Sequence, residues 1–300
     1  MPSAPLISVV VPTCDKPERL VLALHSLVTQ STGEPRGFEV LVVADGCSSD
    51  PREAVRPLRE LGLPIAVIET PRIGQAAARN LGAAQARGDL LLFMDDDVLL
   101  SPDYLRTCLA LRADEATVVR APVYLLRYLA AFRDPERGIP YGGAERPLSA
   151  LAAERVSRAT ILNDWPAVAR KCRHQNRFER LVAETLKERP PRYPWLGYSG
   201  SGVALSRRLF ERAGGYDEAF ALTWGAEAIE LGYRLWRMGA RFVAADGIYS
   251  AHMDHPRGKS LSTFDASFDL FFSRHGDPAI REVQALILAQ DRRPAASMAV

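Results

Sequence analysis

The chain has 300 residues, 47% hydrophobic and 25% charged, with 38 Lys and Arg against 36 Asp and Glu. That is ordinary globular composition with ample length for a core, and a net charge of +2 is too balanced to argue for a nucleic-acid partner. No run approaches the roughly 20 apolar residues of a transmembrane helix, the start MPSAPLISVVVPT lacks the basic region of a signal peptide, and Cys14, Cys47, Cys108 and Cys172 form no CxxC pair, so the expectation is a cytoplasmic protein with reduced thiols, at most peripheral to a membrane.

The run Leu6 to Val11 is β-branched, stops at Pro12 and predicts a buried strand. Pro17 to Gln30 places Leu20, Leu24, Leu27 and Val28 on one helical face. Phe38 to Val43 predicts a second strand, ending at Ala44-Asp45-Gly46, and Asp50 to Leu61 a helix. Ile65 to Glu69 is a third strand, the Ala-rich Gly74 to Ala86 a helix, and Leu90 to Met94 a fourth strand. This alternation implies an α/β fold with a mainly parallel sheet covered on both faces. Residues 112 to 195 are harder to read: Arg137 to Pro147 resembles a loop and Arg155 to Lys187 is expected to be helical. Gly200 to Leu205 reads as a strand, Arg207 to Ala213 and Trp224 to Met238 as helices, and Arg241 to Ala245 as a strand. Residues 292–300 are expected to fray.

Parallel strands deliver their carboxyl ends to one rim, where ligands bind in such sheets. Pro12-Thr13, Asp45 and the run Asp95-Asp96-Asp97 all fall there. Three adjacent carboxylates after a buried strand call for a positive partner. Mg²⁺ or Mn²⁺ is the simplest one, because such ions take carboxylate oxygens and share their shell with substrate phosphates. Strand alternation would point Asp95 and Asp97 one way and Asp96 the other. The competing reading is a solvated acidic turn that leads into a helix starting at Ser101-Pro102.

With these residues in view, the chain resembles the family-2 glycosyltransferases of the GT-A fold. The resemblance rests on SVVVPT (Ser8 to Thr13), VVADGCSSD (Val42 to Asp50), GQAAARNLG (Gly74 to Gly82) and FMDDDV (Phe93 to Val98), in order. GVALSRRLFERAGGYDEAF and WGAEAIELGYRLWRMGARF further resemble the acceptor-side segment of galactosyltransferases and polypeptide N-acetylgalactosaminyltransferases. The resemblance spans about residues 6–110 and 196–256. It implies one GT-A domain: a nucleotide-sugar-binding half (1–110), an acceptor-side insertion (111–195), and an acceptor and catalytic half (196–291).

Residue by residue, the resemblance implies that Pro12, Thr13 and Asp45 hold the nucleotide base, often uracil. Arg79 would lie near the diphosphate. Asp95, with Asp96 beside it, would face the ribose or a metal through water, and Asp97 would ligate the metal. His252 matches a histidine that related enzymes add as a further metal ligand, with His255 three residues on. Inverting members carry Glu-Asp where this chain has Glu227-Ala228. Alanine accepts no proton, so the base is Glu227, or Glu230 one turn on, or no inverting base acts there. Read without the resemblance, Glu227 and Glu230 are helix-start acids, Glu230 paired to Arg234. Trp195 and Trp224 offer indole faces for a sugar, or are core residues. Gly200, within YSGSG, suits close backbone approach to a sugar.

The implied function is metal-dependent transfer from a nucleoside-diphosphate sugar, UDP-linked for preference, to a glycan, lipid-linked, small-molecule or peptide acceptor. A catalytically degenerate nucleotide-sugar-binding relative is the alternative. A sugar nucleotidyltransferase is a weaker one, because VVVPTCDKPERL has no Gly-rich phosphate loop. Arg170, Arg173, Arg177 and Arg180 either meet an anionic acceptor or form a solvated helix face.

Overall fold

The seven residues of β1 (Ile7–Thr13) are all buried, as a β-branched run covered on both sheet faces must be. In the computed structural model, which describes residues 5–126, 128–141, 155–221, 223, 225–256 and 261–292, β1 lies parallel between β2 (Phe38–Asp45) and β4 (Leu90–Phe93). β3 (Ile65–Thr70) extends the parallel set at one edge. Pairing of β1 with β4 stops at Val10–Phe93, so the missing N–H of Pro12 interrupts nothing on that side.

Helices α1 (Pro17–Val28), α2 (Pro51–Glu60) and α3 (Gln75–Gln85) make the crossovers. Gly82 lets α3 lie against the sheet: a Cβ there would stand 2.5 Å from Val10 and 3.0 Å from Val43 side-chain carbons. β5 (Val98–Leu100) follows the acidic run, and α4 (Tyr104–Leu111) starts only after Asp103, which takes a left-handed conformation. Ser101 pairs with Tyr249 through backbone and side chain. The acidic run is therefore not a turn that caps a helix at Ser101-Pro102; a buried strand separates the two.

β6 (Thr117–Arg120) joins the large sheet, although it comes from the stretch read as an insertion. β7 (Val123–Leu126) belongs to a second sheet, and β8 (Phe132–Asp134) with β9 (Ile139–Pro140) forms a two-stranded ribbon. The expected loop over 137–147 begins in β9 and then passes outside the described residues. The stretch Arg155 to Lys187 is mostly helical, as expected, but in three separate helices with a strand between them. Asp164 caps α6 (Trp165–Ala169) and so ends α5 (Arg158–Asn163); β10 (Cys172–His174) pairs with β7; Asn176 caps α7 (Arg177–Lys187). Asp-Trp-Pro and Asn are helix-start signals, and each restarts the chain.

β11 (Val203–Ser206) runs antiparallel between β4 and β6, so residues 200–202 arrive at the carboxyl rim of β4. α8 (Arg207–Arg212) follows, then α9 (Glu227–Arg237), which begins three residues later than the sequence suggests. β12 (Arg241–Ala244) closes the large sheet in the order β12-β6-β11-β4-β1-β2-β3. β13 (Ser250–His252) pairs with β5 and β7 in the four-stranded sheet β10-β7-β13-β5. Two helices not anticipated from the sequence, α10 (Leu261–His275) and α11 (Pro278–Arg292), pack against α9 and α7. The tail expected to fray, 292–300, lies outside the described residues apart from Arg292.

The result is a mixed, mainly parallel sheet flanked by helices in a single domain, as expected. No helix among the described residues is long and apolar enough to cross a membrane.

Candidate active site

The acidic run leaves the sheet where β4 ends, so residues 95–97 are a turn and strand alternation does not govern them. Asp95 turns one way, to Arg79 Nη2 at 2.8 Å. Asp96 and Asp97 instead share a cation, Lys16, whose Nζ lies 3.3 Å from Asp96 Oδ1 and 3.2 Å from Asp97 Oδ2. The expected pairing of Asp95 with Asp97 is thus replaced by Asp96 with Asp97.

Asp96 also accepts from Thr13 Oγ1 at 2.8 Å. Burial pushes its carboxyl up to about 6, with Lys16 opposing and Asp97 reinforcing. Asp97 is as buried, and burial alone would raise it too. His252, His255 and Lys16 outweigh that and hold it well below the usual carboxylate range. His252 Nε2 is 3.4 Å from Oδ1 and His255 Nε2 is 3.1 Å from Oδ2. Burial disfavours the Lys16 ammonium, but the two carboxylates more than compensate and raise its affinity for the proton.

The segment carrying the imidazoles is held at its backbone. The Met253 N–H donates to Asp97 O at 2.8 Å, and buried Arg19 donates to Met253 O. Arg19 also reaches the carbonyls of Leu129 and Phe132, so α1 and β13 are locked together beside Asp97.

Arg79 is 2% exposed. Its guanidinium lies over the Tyr216 ring, 5.4 Å from the centroid. Asn80 fixes that ring's backbone in both directions, accepting from Tyr216 N and donating to Tyr216 O. Burial disfavours the charge on Arg79; Tyr216, Asp95 and Glu227 restore it and raise its proton affinity. Among the described residues, neither Nε nor Nη1 of Arg79 has a hydrogen-bond partner, and Glu227 Oε1 stands 3.8 Å from Nη1.

Glu227 opens α9 and its Oε2 accepts from Gly225 N. Glu230 goes elsewhere: both its oxygens bind Arg234, and Oε1 also meets His275 Nε2 at 2.9 Å. Glu230, the second candidate for the base, is thereby engaged in a structural ion network. Gly200 lies beside Arg79 and Ala228. Its φ is +94°, and a Cβ there would stand 3.3 Å from Ala228 Cβ and 3.6 Å from Arg79 Nη2. The neighbouring Ser201 Oγ accepts from Asp95 N.

Trp195 does not face a sugar. It is 1% exposed and packs edge-on against Tyr193, Tyr233 and Phe271. The signal for burial is that its partners come from α9 and α10, elements far along the chain. Trp224 lies outside the described residues. Asp45 makes no Asx turn at Gly46. Its oxygens accept from Ile73 N and Gly74 N, tying β2 to the start of α3. Next to it is a cavity of about 430 Å³ lined by Ala44, Gly46, Cys47, Asp50, Glu69 and Thr70, at the ends of β2 and β3. Lys16, Tyr216 and Ser201 were not singled out from the sequence. Lys16 had one available signal: it sits three residues past Thr13 on the same rim as three unneutralised acids.

Among the described residues, no three His, Cys, Asp or Glu side chains form a metal cage by themselves. Asp97 with an imidazole on each oxygen is nevertheless a donor set that suits Mn²⁺, or Mg²⁺, when ligand phosphates complete the shell.

Residues 8–135 match the family model for glycosyl transferase family 2, and residues 180–256 match that for the N-terminal domain of galactosyltransferase. Two separate segments of the chain are thus similar to glycosyltransferase families, neither of them spanning half of it. Its first matched segment carries the acidic run, Lys16 and Arg79; its second carries Glu227 and His252. The validoxylamine A glucosyltransferase of Streptomyces hygroscopicus subsp. limoneus is 31% identical over 277 residues, covering 90% of this chain and 57% of that protein. The hyaluronan synthase of Pasteurella multocida is 28% identical over 266 residues, covering 86% of this chain and 25% of that protein. The chain therefore spans little more than half of one relative and a quarter of the other. Among solved structures, the mannosyltransferase PcManGT of Pyrobaculum calidifontis, in complex with GDP-Man and Mn²⁺, shares the fold with a TM-score of 0.59. It is 21% identical, and the match covers 96% of this chain and 71% of that one. TarS 1-349 of S. aureus, in complex with UDP, has a TM-score of 0.56 at 18% identity, covering 89% and 64%.

Proposed function

We propose that the chain transfers a sugar from a nucleoside-diphosphate sugar, UDP-linked for preference, to an acceptor nucleophile at this rim. One observation carries the reading: buried Arg79 keeps unpaired N–H groups beside a cation-loaded carboxylate turn, as an anionic ligand would require. The base and ribose would occupy the cavity at the ends of β2 and β3, with Asp45 holding its wall. Arg79 and Lys16 would then face the diphosphate. Asp97 and His252 would hold Mn²⁺ or Mg²⁺, which when bound neutralises charge on the leaving diphosphate.

The acceptor would enter past Gly200. Glu227 is the general base under this reading: it is 8% exposed, lies at the same guanidinium as Asp95, and has one oxygen without a strong partner. It takes the acceptor proton while the bond from the anomeric carbon to the diphosphate oxygen breaks.

Thermal unfolding with UDP, GDP, dTDP and CMP, each with and without Mn²⁺, tests this. A ligand at 100 times its Kd adds about 2.7 kcal/mol of stability, a visible shift. A shift specific to one nucleotide and enhanced by Mn²⁺ is expected, and Asp97→Ala should abolish the enhancement. No shift with any nucleotide overturns the reading.

Ala228 favours a second reading. It stands against Gly200 where inverting relatives are expected to carry Asp. A chain that only binds nucleotide sugar would show the thermal shift but release no nucleotide from UDP-sugars with any acceptor tried.

A further inference from the structure

Lys16 stands where a divalent cation would be expected to stand. Its ammonium meets Asp97 Oδ2 at 3.2 Å and Asp96 Oδ1 at 3.3 Å, with His255 Nε2 3.1 Å away. One of these oxygens belongs to Asp97, the residue that would ligate the metal, and the ammonium occupies it. Arg79, the other cation of the rim, is fixed: its side chain is 3% exposed and lies on Tyr216. Lys16 differs. Its side chain is 32% exposed, and it occupies the position just before α1. A lysine ammonium on a four-carbon stem can exchange one anionic partner for another without moving the backbone.

We propose that Lys16 is a tethered counter-cation that fills the metal position on Asp97 until a donor diphosphate draws it away, so that the divalent ion enters with the donor and not before it. The proposal rests on the glycosyltransferase reading of the rim. Three arguments support it. Two adjacent buried carboxylates need a cation at all times, and Lys16 supplies one when no ligand is bound. An ammonium and a divalent ion cannot share Asp97 Oδ2, because like charges at contact distance repel. A diphosphate brings the negative charge that makes a new partner for Lys16 and vacates the carboxylate. The same device explains how the acidic run is stable in the folded chain without three ligands of metal-cage geometry.

The test is a titration of Mn²⁺ followed by the electron paramagnetic resonance signal of the free ion, on the full chain, with and without UDP and, in parallel, GDP. For the unaltered chain, weak Mn²⁺ binding alone and at least tenfold tighter binding with one nucleotide are expected. Lys16→Met should bind Mn²⁺ alone at least tenfold more tightly than the unaltered chain, and the gain from nucleotide should shrink. Lys16→Arg, which keeps a positive charge on Asp97, should leave binding of Mn²⁺ alone as weak as in the unaltered chain. Lys16→Gln is read by the same rule if Lys16→Met does not fold by circular dichroism. If Mn²⁺ binds with nucleotide but the Lys16 variants show unchanged or weaker affinity for the ion alone, the counter-cation idea is overturned and the metal site stands. If nucleotide stabilises the fold and no protein binds Mn²⁺ under any condition, the metal assignment falls together with it.

Discussion

Glu227 and Glu230 stand one helical turn apart on α9 and meet opposite surroundings. Glu230 is closed in by the Arg234 fork and His275. Glu227 has an oxygen turned toward Arg79 at a distance too long for a strong ion pair. General-base catalysis contributes 10²–10⁴-fold, so Glu227→Gln is expected to lower kcat by about that factor while nucleotide affinity stays within a few-fold. Transfer assays and nucleotide titration on the same preparation check it; an unchanged kcat removes Glu227 from the mechanism. Glu230→Gln should instead cost stability, because it leaves Arg234 and His275 without their anion. Arg79→Met should weaken nucleotide binding with or without metal, since its unpaired N–H groups are the ones a diphosphate would use. Binding of nucleotide unchanged by Arg79→Met would place the diphosphate elsewhere. At this scale strand alternation misled about which acids pair. Asp95 and Asp97 were expected together by strand alternation, but the strand ends at Phe93 and a turn redistributes them. Lys16 escaped notice because a loop lysine carries no periodic signal.

Elements are placed by a few close approaches. Gly232 on α9 is one: a Cβ there would stand 2.4 Å from Trp195 O and 2.7 Å from Tyr198 Cβ. The 194–197 turn therefore lies against the α9 backbone, and the N-terminus of α9 with Glu227 is set by that seating. Gly232→Ala gains up to about 1 kcal/mol of helix propensity. It must move a backbone carbonyl, and overpacking costs about 1–3 kcal/mol. A net loss in urea unfolding is expected, with kcat falling more than nucleotide affinity because only α9 shifts. An unchanged midpoint would show that the turn can yield. Elements with strong local signals were legible: buried runs such as 7–11 and 90–93, and amphipathic α1. The breaks within 155–187 were not, because the capping signals of Asp164 and Asn176 outweigh an overall helix-favouring composition. Trp195 was ambiguous for the same reason that any aromatic is. Burial against α9 and α10 is a tertiary fact, and the phenylalanine stripe of α10 that completes it (Phe264, Phe268, Phe271) went unread.

The whole molecule depends on pairings between distant segments, and these lay beyond the reach of local patterns. Insertion of β11 antiparallel between β4 and β6 brings Ser201 to Asp95, and pairing of β13 with β5 brings His252 to Asp97. The parallel half needs its own crossings, and Glu39 guards one. This buried carboxylate on β2 accepts from Ser8 Oγ on β1 and from Arg87 N, Nε and Nη2 ahead of β4. Burial opposes its ionisation, but those bonds win and its carboxyl is held below the ordinary value of 4.5. The unfolded chain then binds the proton more readily than the folded one. Glu39 thus stabilises the fold fully above pH 4.5, and that contribution is lost as pH falls through its lower folded value. Hydrogen bonds to a charged group are worth about 1.5–3 kcal/mol, and the exposed Arg87 head places the expectation at the lower end. Urea unfolding of the chain and of Glu39→Gln at pH 7, 5 and 3 should show a gap of about 1.5 kcal/mol that persists at pH 5 and narrows as pH falls to 3. A gap that stays constant into acid would mean that shape, and not charge, is what Glu39 contributes to the joint between β1, β2 and β4.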